Sequence, residues 1–154
     1  VLVYIETTIP SYYHETRRGK TAVAWRAATR DWWDRRRQDH EVCTSQVTLD
    51  ELARAPMAKR FPALAMMDGV RVLEVHERLG EVIAAYLGHL LLPSDAVPDA
   101  AHIALATLHG VDVLLSWNVK HIANPRKQRH LETINRRLGL ATPMICTPYG
   151  LMPE

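Results

Sequence analysis

Glu6, Glu51, Asp99 and Asn118 are the residues whose types suit one piece of chemistry. Three carboxylates and a carboxamide supply hard oxygen donors, and no His-Cys ligand spacing accompanies them, which points to Mg²⁺ or Mn²⁺ rather than zinc. The four lie far apart in the chain, so a shared metal site requires a fold that gathers them. Each is predicted to sit where a strand ends or a helix begins. Leu2-Val3-Tyr4-Ile5 is an apolar, β-rich run that stops at Glu6-Thr7-Thr8-Ile9-Pro10-Ser11. A carboxylate and two hydroxyls, Thr7 and Thr8, thus emerge at the carboxyl end of a strand that reads as buried on both faces. In open parallel sheets that edge binds ligands. A carboxylate closing a buried strand is also costly unless it is paired or metal-bound. A second apolar run, Val111 to Leu115, delivers Ser116-Trp117-Asn118 to the same kind of edge, and Glu51 and Asp99 fall in early helical turns.

The elements that must position these residues alternate along the chain. Pro10-Ser11 starts a short helix, and Lys20 to about Arg37 is a longer one whose apolar contacts include Trp25, Trp32 and Trp33, with packing as their expected role. Glu41 to Ser45 reads as the second strand, and Ser45 or Thr48 caps a helix from Leu49 to Ala55 that Pro56 closes. Ala58 to Met67 is a helix, Arg71 to Val75 a strand, and His76 to Leu91 a helix ended by Pro93. Pro93 to Asp99 is a capped, proline-primed entry to a helix that runs to about His109 and is closed by Gly110. Asp112 to Ser116 is the fourth strand, Arg126 to Leu138 a helix with Gly139 as its C-cap, and Met144 to Cys146 the last strand, before Thr147-Pro148 begins a turn. The pattern predicts an α/β fold with about five strands in a mainly parallel sheet, flanked by helices on both faces.

At 154 residues and 47% hydrophobic, with no break in composition, the chain is expected to form one domain over residues 1–154. Cys43 and Cys146 each fall in a short strand and are expected to be buried thiols in a reducing cytoplasm rather than a disulfide or ligand pair. The chain opens directly on a strand, so no signal peptide is expected. The longest uncharged stretch, Leu138 to Pro153, is broken by three prolines and two glycines, so no membrane span is expected either. The formal charge of +2 is unevenly spread. Residues 17–40 hold eight Lys/Arg against three Asp/Glu, residues 120–137 six against one, and residues 41–112 five against ten. Basic segments bracketing an acidic edge suit a phosphate-backbone substrate, although any single run also reads as a solvated helix face.

With these residues in place the chain resembles a PIN domain, specifically the nucleases of VapBC-type toxin-antitoxin pairs. The carriers are Val3-Tyr4-Ile5-Glu6-Thr7-Thr8, Thr48-Leu49-Asp50-Glu51-Leu52, Pro98-Asp99-Ala100-Ala101-His102-Ile103-Ala104-Leu105-Ala106, Gly110 to Asn118, and the terminal Met144-Ile145-Cys146-Thr147-Pro148. Their order and spacing together, over nearly the full length, are more specific than any one of them. The resemblance implies a metal-dependent endoribonuclease that uses Mg²⁺ or Mn²⁺. It also implies RNA as substrate, a cognate antitoxin protein as partner, a homodimer and a cytoplasmic setting.

Carried over residue by residue, the resemblance makes Glu6, Glu51 and Asp99 the acids, Asn118 the occupant of a fourth acidic position, and Thr7 or Thr8 the hydroxyl that follows the first acid. Two departures weaken metal affinity: Glu6 is one methylene longer than the usual Asp, and Asn118 supplies no charge. Asp50 competes with Glu51, about 100° away on the helix, and the family pattern prefers Glu51. His102, one turn after Asp99, either bonds that carboxylate or is a satisfied half-buried histidine, and His121 is a loop histidine near the edge. The alternatives are a catalytically weak or inactive module that binds nucleic acid or a partner, and a Mg²⁺-dependent phosphatase. The latter lacks the Asp-x-Asp arrangement of an aspartyl nucleophile at Glu6.

Overall fold

The structure, a computed structural model, describes residues 1–89 and 91–152. Leu90, within the predicted helix His76 to Leu91, lies outside the described residues, as do Pro153 and Glu154. Five strands, β1 (Leu2–Ile5), β2 (Glu41–Ser45), β3 (Arg71–Leu73), β4 (Val113–Leu115) and β5 (Met144–Cys146), form one sheet in the order β3-β2-β1-β4-β5, with every neighbouring pair parallel. The expected α/β architecture is therefore present. The chain builds outward from β1 on one side and returns to build on the other, so the strand order reverses beside β1. Ligands of open α/β sheets bind at that switch point, outside the carboxyl ends of the strands.

Seven helices among the described residues cover the sheet: α1 (Thr8–Tyr13), α2 (Lys20–Asp31), α3 (Gln46–Ala53), α4 (Met57–Met66), α5 (Leu79–Gly88), α6 (Val97–Leu108) and α7 (Pro125–Arg137). Side chains alternate along a strand, and the two faces show it. Val3 and Ile5 of β1 and Val113 and Leu115 of β4 pack with Ile9, Ala28, Trp32, Leu52 and Ala63. Tyr4 and Leu114 face the other way, toward Val82, Tyr86, Ile103 and Leu131 of α5, α6 and α7. A strand apolar on both faces is what a two-sided parallel sheet requires. α6 is buried from Ala100 to Thr107, in keeping with a helix apolar nearly all round. Gly110 and Gly139, at φ 65° and 73°, follow α6 and α7 in the left-handed conformation that closes a helix.

Several predicted boundaries move, each for a local reason. The long helix from Lys20 leaves α-geometry at Trp32, where a π-helical segment, Trp32–Arg36, lets the adjacent indoles of Trp32 and Trp33 both bury. α3 starts at Gln46 rather than Leu49, with neither expected cap in use: the Ser45 hydroxyl meets the Tyr4 hydroxyl, and Thr48 Oγ1 donates to the Ile5 carbonyl. α5 starts at Leu79 rather than His76, because the His76 ring and carbonyl accept from the Arg78 and Leu79 amides and form a turn first. α6 has Pro98 near its start, as expected, but Ala96 stands at the cap position, so the predicted side-chain cap is missing. Both cysteines are free thiols. Cys43 is buried, with its pKa pushed up to about 12 by burial, while Cys146 is only half-buried. Among the described residues no helix is long and apolar enough to cross a membrane.

The loop that follows α1 is anchored by a buried charge. Glu15, 2% exposed, accepts from Arg17 Nε at 2.8 Å and from Lys59 Nζ of α4 at 2.8 Å, while Arg26 of α2 donates to its carbonyl. The Arg17 hydrogen bond, with Lys59 behind it and against the cost of burial, holds the Glu15 carboxyl well below the usual range. A depressed folded-state pKa adds stability above the unfolded value, near 4.3, and loses it as pH falls further. Glu15→Gln is therefore expected to cost about 2 kcal/mol at pH 7. The gap between variant and wild type should narrow as pH drops below about 4, and urea unfolding at pH 7 and pH 3 measures both.

Candidate functional site

The backbone beyond β1 and β4 stays paired after the strands end. Glu6 N–H donates to the Leu115 carbonyl at 3.2 Å, and Ser116 N–H to that of Cys146 at 3.0 Å. Glu6 and Ser116 therefore leave the sheet side by side at the switch point. The Glu6 carboxylate is 3% exposed. Its Oε1 accepts from the Thr8 amide at 3.0 Å, from the Thr8 hydroxyl and from Ser116 Oγ at 2.7 Å. The Thr8 hydroxyl also accepts from the Trp117 amide at 2.7 Å, and Ser116 Oγ from the Asn118 amide at 2.9 Å. Burial still pushes the Glu6 carboxyl above its ordinary range, against the opposing pull of His102 and of these donors.

Glu51, in the second turn of α3, is half-buried. Its Oε1 accepts from Thr7 Oγ1 at 2.8 Å and meets His102 Nε2 at 2.5 Å. Burial raises the Glu51 carboxyl, but the His102 bond and charge, with Thr7, outweigh it and leave the group below its ordinary value. Asp50 is exposed and accepts from Gln46, so of the two adjacent acids Glu51 is the one that faces the edge. Asp99, at the start of α6, is half-buried and accepts from Asn118 Nδ2 at 3.3 Å. Burial raises its carboxyl, and Glu51 adds to the rise while His121, His102 and the Asn118 bond oppose it. Hydrogen bonds tie the edge in two sets, Glu6 to Ser116, Ser116 to Asn118 and Asn118 to Asp99 in one, and Thr7 and His102 to Glu51 in the other. Lys127 of α7 is coupled to Asp99: burial lowers its pKa and the Asp99 charge opposes that.

The two threonines divide the acids between them, Thr8 holding Glu6 and Thr7 holding Glu51. Asn118 donates to Asp99, and its Oδ1 accepts from the His121 amide at 3.0 Å, so both ends of the carboxamide are engaged. His102 departs in part from expectation. It is satisfied, as one of the two readings had it, but fully buried rather than half-buried, and it contacts Glu51 rather than Asp99, because α3 packs across from its face of α6. Two participants carried no assignment in the sequence: Ser116, and Tyr4, whose hydroxyl meets His102 Nδ1 at 2.8 Å. Strand alternation was the available signal for both, since Tyr4, Glu6 and Ser116 share the register that faces α6.

Whether the residues suit a divalent cation turns on the oxygens left over. Among the described residues, each carboxylate concentrates its hydrogen bonds on one oxygen, leaving Glu6 Oε2, Glu51 Oε2 and Asp99 Oδ2 outside them. Hard carboxylate oxygens are the donors Mg²⁺ and Mn²⁺ take. In kind, then, the set fits. In placement, no three His, Cys, Asp or Glu side chains among the described residues stand together as a metal-holding group.

Among solved structures, the chain is similar to a chain of the crystal structure of VapBC2 from Rickettsia felis bound to a DNA fragment from their promoter. The TM-score is 0.55 and the identity 10%, over 96% of this chain and 98% of that one. At that identity the likeness is one of fold, a PIN-like α/β fold. No family model matches the chain, and no curated protein matches it.

The carboxylates differ in sign, and metal-free stability should reveal it. Glu6 and Asp99, whose folded-state pKa values are raised, are costly when ionised at pH 7, whereas ionised Glu51 is favoured. In EDTA at pH 7, Glu6→Gln and Asp99→Asn are expected to raise the thermal midpoint and Glu51→Gln to lower it. A uniform rise in all three would show that His102 does not stabilise Glu51.

Proposed function

We propose that the chain is a metal-dependent endoribonuclease of the VapC type, the toxin of a toxin-antitoxin pair, acting as a cytoplasmic homodimer and restrained by an antitoxin that covers the acidic edge. The observation that carries this reading is the arrival of Glu6, Glu51 and Asp99, from three separate elements, along the switch-point edge of a PIN-like sheet, each with one oxygen outside the hydrogen bonds. Glu6, Glu51 and Asp99 would hold Mg²⁺ or Mn²⁺, with Asn118 as a direct or water-mediated ligand. When bound, the cation supplies Lewis acidity toward the scissile phosphate and its attacking water. Thr8 and Ser116 fix the Glu6 carboxylate, and Thr7 fixes Glu51. Lys127, on which the Asp99 charge acts, brings positive charge to an edge that would otherwise repel RNA.

The two basic segments do not support this equally. In the first, Arg17 is paired with Glu15, and Arg35 and Arg36 with Asp31. In the second, Lys120, Arg126, Lys127 and Arg129 form no ion pair among the described residues. The second is the better candidate for phosphate contact, and it leads away from Asn118 directly into α7. A different reading, a module that binds RNA or a partner without cleaving, is favoured by one observation: the three acids do not close on a common point.

Purified protein incubated with single-stranded RNA is expected to cleave it with Mg²⁺ or Mn²⁺ and to stop with EDTA. Replacing a ligand should cost more than the roughly 10–100-fold typical of a residue that only orients one, so Glu51→Gln and Asp99→Asn should lose at least about 100-fold in rate. RNA binding without cleavage under any divalent condition would favour the binding module, and metal-independent cleavage would defeat the proposed mechanism.

Asn118→Asp carries a two-sided expectation. It replaces a donor to Asp99 with a second negative charge, so it should destabilise the metal-free protein while tightening Mn²⁺ binding. Calorimetric titration beside thermal unfolding in EDTA measures both, and unchanged Mn²⁺ affinity would place Asn118 outside the metal shell. For RNA binding, neutralising Lys120, Arg126 and Arg129 should reduce the slope of log affinity against log salt by roughly 0.7 for each phosphate that is no longer neutralised. Neutralising Arg35 and Arg36 should change it less.

A further inference from the structure

A continuous line of polar atoms runs through the interior beneath the acidic edge. Ser45 Oγ at the end of β2 meets the Tyr4 hydroxyl of β1 at 2.6 Å, that hydroxyl meets His102 Nδ1 of α6 at 2.8 Å, and His102 Nε2 reaches Glu51 Oε1 of α3. Ser45, Tyr4 and His102 are 1%, 0% and 0% exposed. Only the far end, Glu51, with 30% of its side chain exposed, reaches the surface. Buried polar groups are costly unless satisfied, and apolar residues of similar shape would pack at these positions without that cost.

Every polar atom along the line has a partner. The Glu51 carboxylate only accepts, so Nε2 carries the ring proton and donates it. On the far side of the ring the Tyr4 hydroxyl bonds Nδ1 and Ser45 Oγ, so each ring nitrogen has a buried partner. Burial pushes the Tyr4 phenol above its ordinary pKa, so it stays protonated within the line. Thr7 Oγ1 adds a donor to the same Glu51 oxygen at 2.8 Å. A glutamate on a helix surface otherwise samples many rotamers, and fixing one of its oxygens from a rigid interior removes that freedom.

We propose that Tyr4 and His102 are positioning residues: a buried strut, Ser45–Tyr4–His102, that holds one oxygen of Glu51 and so sets where the other stands at the acidic edge. The strut works as an outer-shell partner does for a metal-ligating carboxylate, by orienting it. Its effect on cation binding rests on Glu51 being a ligand in the function proposed above. The strut itself does not.

The experiment compares Tyr4→Phe, His102→Gln and His102→Leu in the full chain, with Mn²⁺ alone as the calorimetric probe and thermal unfolding in EDTA as the folding control. Tyr4→Phe and His102→Leu are expected to weaken Mn²⁺ binding about 10-fold. His102→Gln, which keeps an N–H for Glu51, should recover part of that. In a Glu51→Gln background Tyr4→Phe should have no further effect, because it acts only through Glu51. Unchanged Mn²⁺ affinity in Tyr4→Phe, or an equal loss with and without Glu51, overturns the proposal. If His102→Leu does not fold, Tyr4→Phe carries the test alone.

A second readout separates this inference from the proposed function. In protein labelled with ¹⁵N-histidine, His102 Nε2 should be protonated and hydrogen-bonded, and the ring signal should change in both Tyr4→Phe and Glu51→Gln. If wild type binds no Mn²⁺ but these changes occur, the metal-site reading fails and the strut stands. A ring signal indifferent to both substitutions overturns the strut.

Discussion

An ionisable group at the end of the central strand sits almost out of water, and much of the edge is arranged around keeping it there. Glu6 cannot turn away, because its own amide is still paired with the Leu115 carbonyl. Its carboxylate is held by two hydroxyls and an amide, from Thr8 and Ser116. Those hydroxyls in turn accept from the amides of Trp117 and Asn118, so the exit of β4 is tied to the same oxygen as the exit of β1. Trp117 then stacks on Trp25 at 4.6 Å and meets Tyr12 and Tyr149, which docks α1, α2 and the terminal turn onto the edge. One buried carboxylate thus fixes the register of two strand ends and the packing beside them.

The three acids are not electrostatically alike, and His102 is the reason. It influences Glu6, Glu51 and Asp99, but it bonds only Glu51. Two carboxylates are therefore carried at a cost in the metal-free protein and one is held in its charged form. A cation bound there would relieve the first two without having to displace the third from its orientation. In the nuclease proposed above, Glu51 would be the acid that needs least reorientation when a cation binds.

Charge outside the edge is also less uniform than a count of basic residues suggests. The first basic segment is partly consumed by the fold, since Arg17 helps bury Glu15 and Arg37 lies over the Trp33 ring at 4.4 Å. The second projects from α7, the helix that also carries Lys127, on which the Asp99 charge acts. Proximity to the acidic edge, rather than number of charges, distinguishes the segment suited to a phosphate substrate.

Period and punctuation in the sequence were enough to determine the α/β alternation and the placement of Glu6 and Asn118 after strands and of Asp99 near a helix start. Apolar runs such as Leu2 to Ile5 and Val111 to Leu115 can be stable only between two helical layers, and residues that end them must emerge at the sheet's edge. Boundaries set by side-chain competition were not legible. Ser45 and Thr48 read as caps, yet their hydroxyls serve Tyr4 and Ile5 instead, because partners distant in sequence offered better-buried bonds. The same holds within the site. That Thr7 serves Glu51 while Thr8 serves Glu6, that Ser116 completes the Glu6 cradle, and that His102 turns toward Glu51 rather than Asp99 depend on which strand neighbours which and how α3 crosses α6. Local spacing fixes which face a residue occupies, whereas its hydrogen-bond partner is chosen by whatever the tertiary packing brings opposite that face.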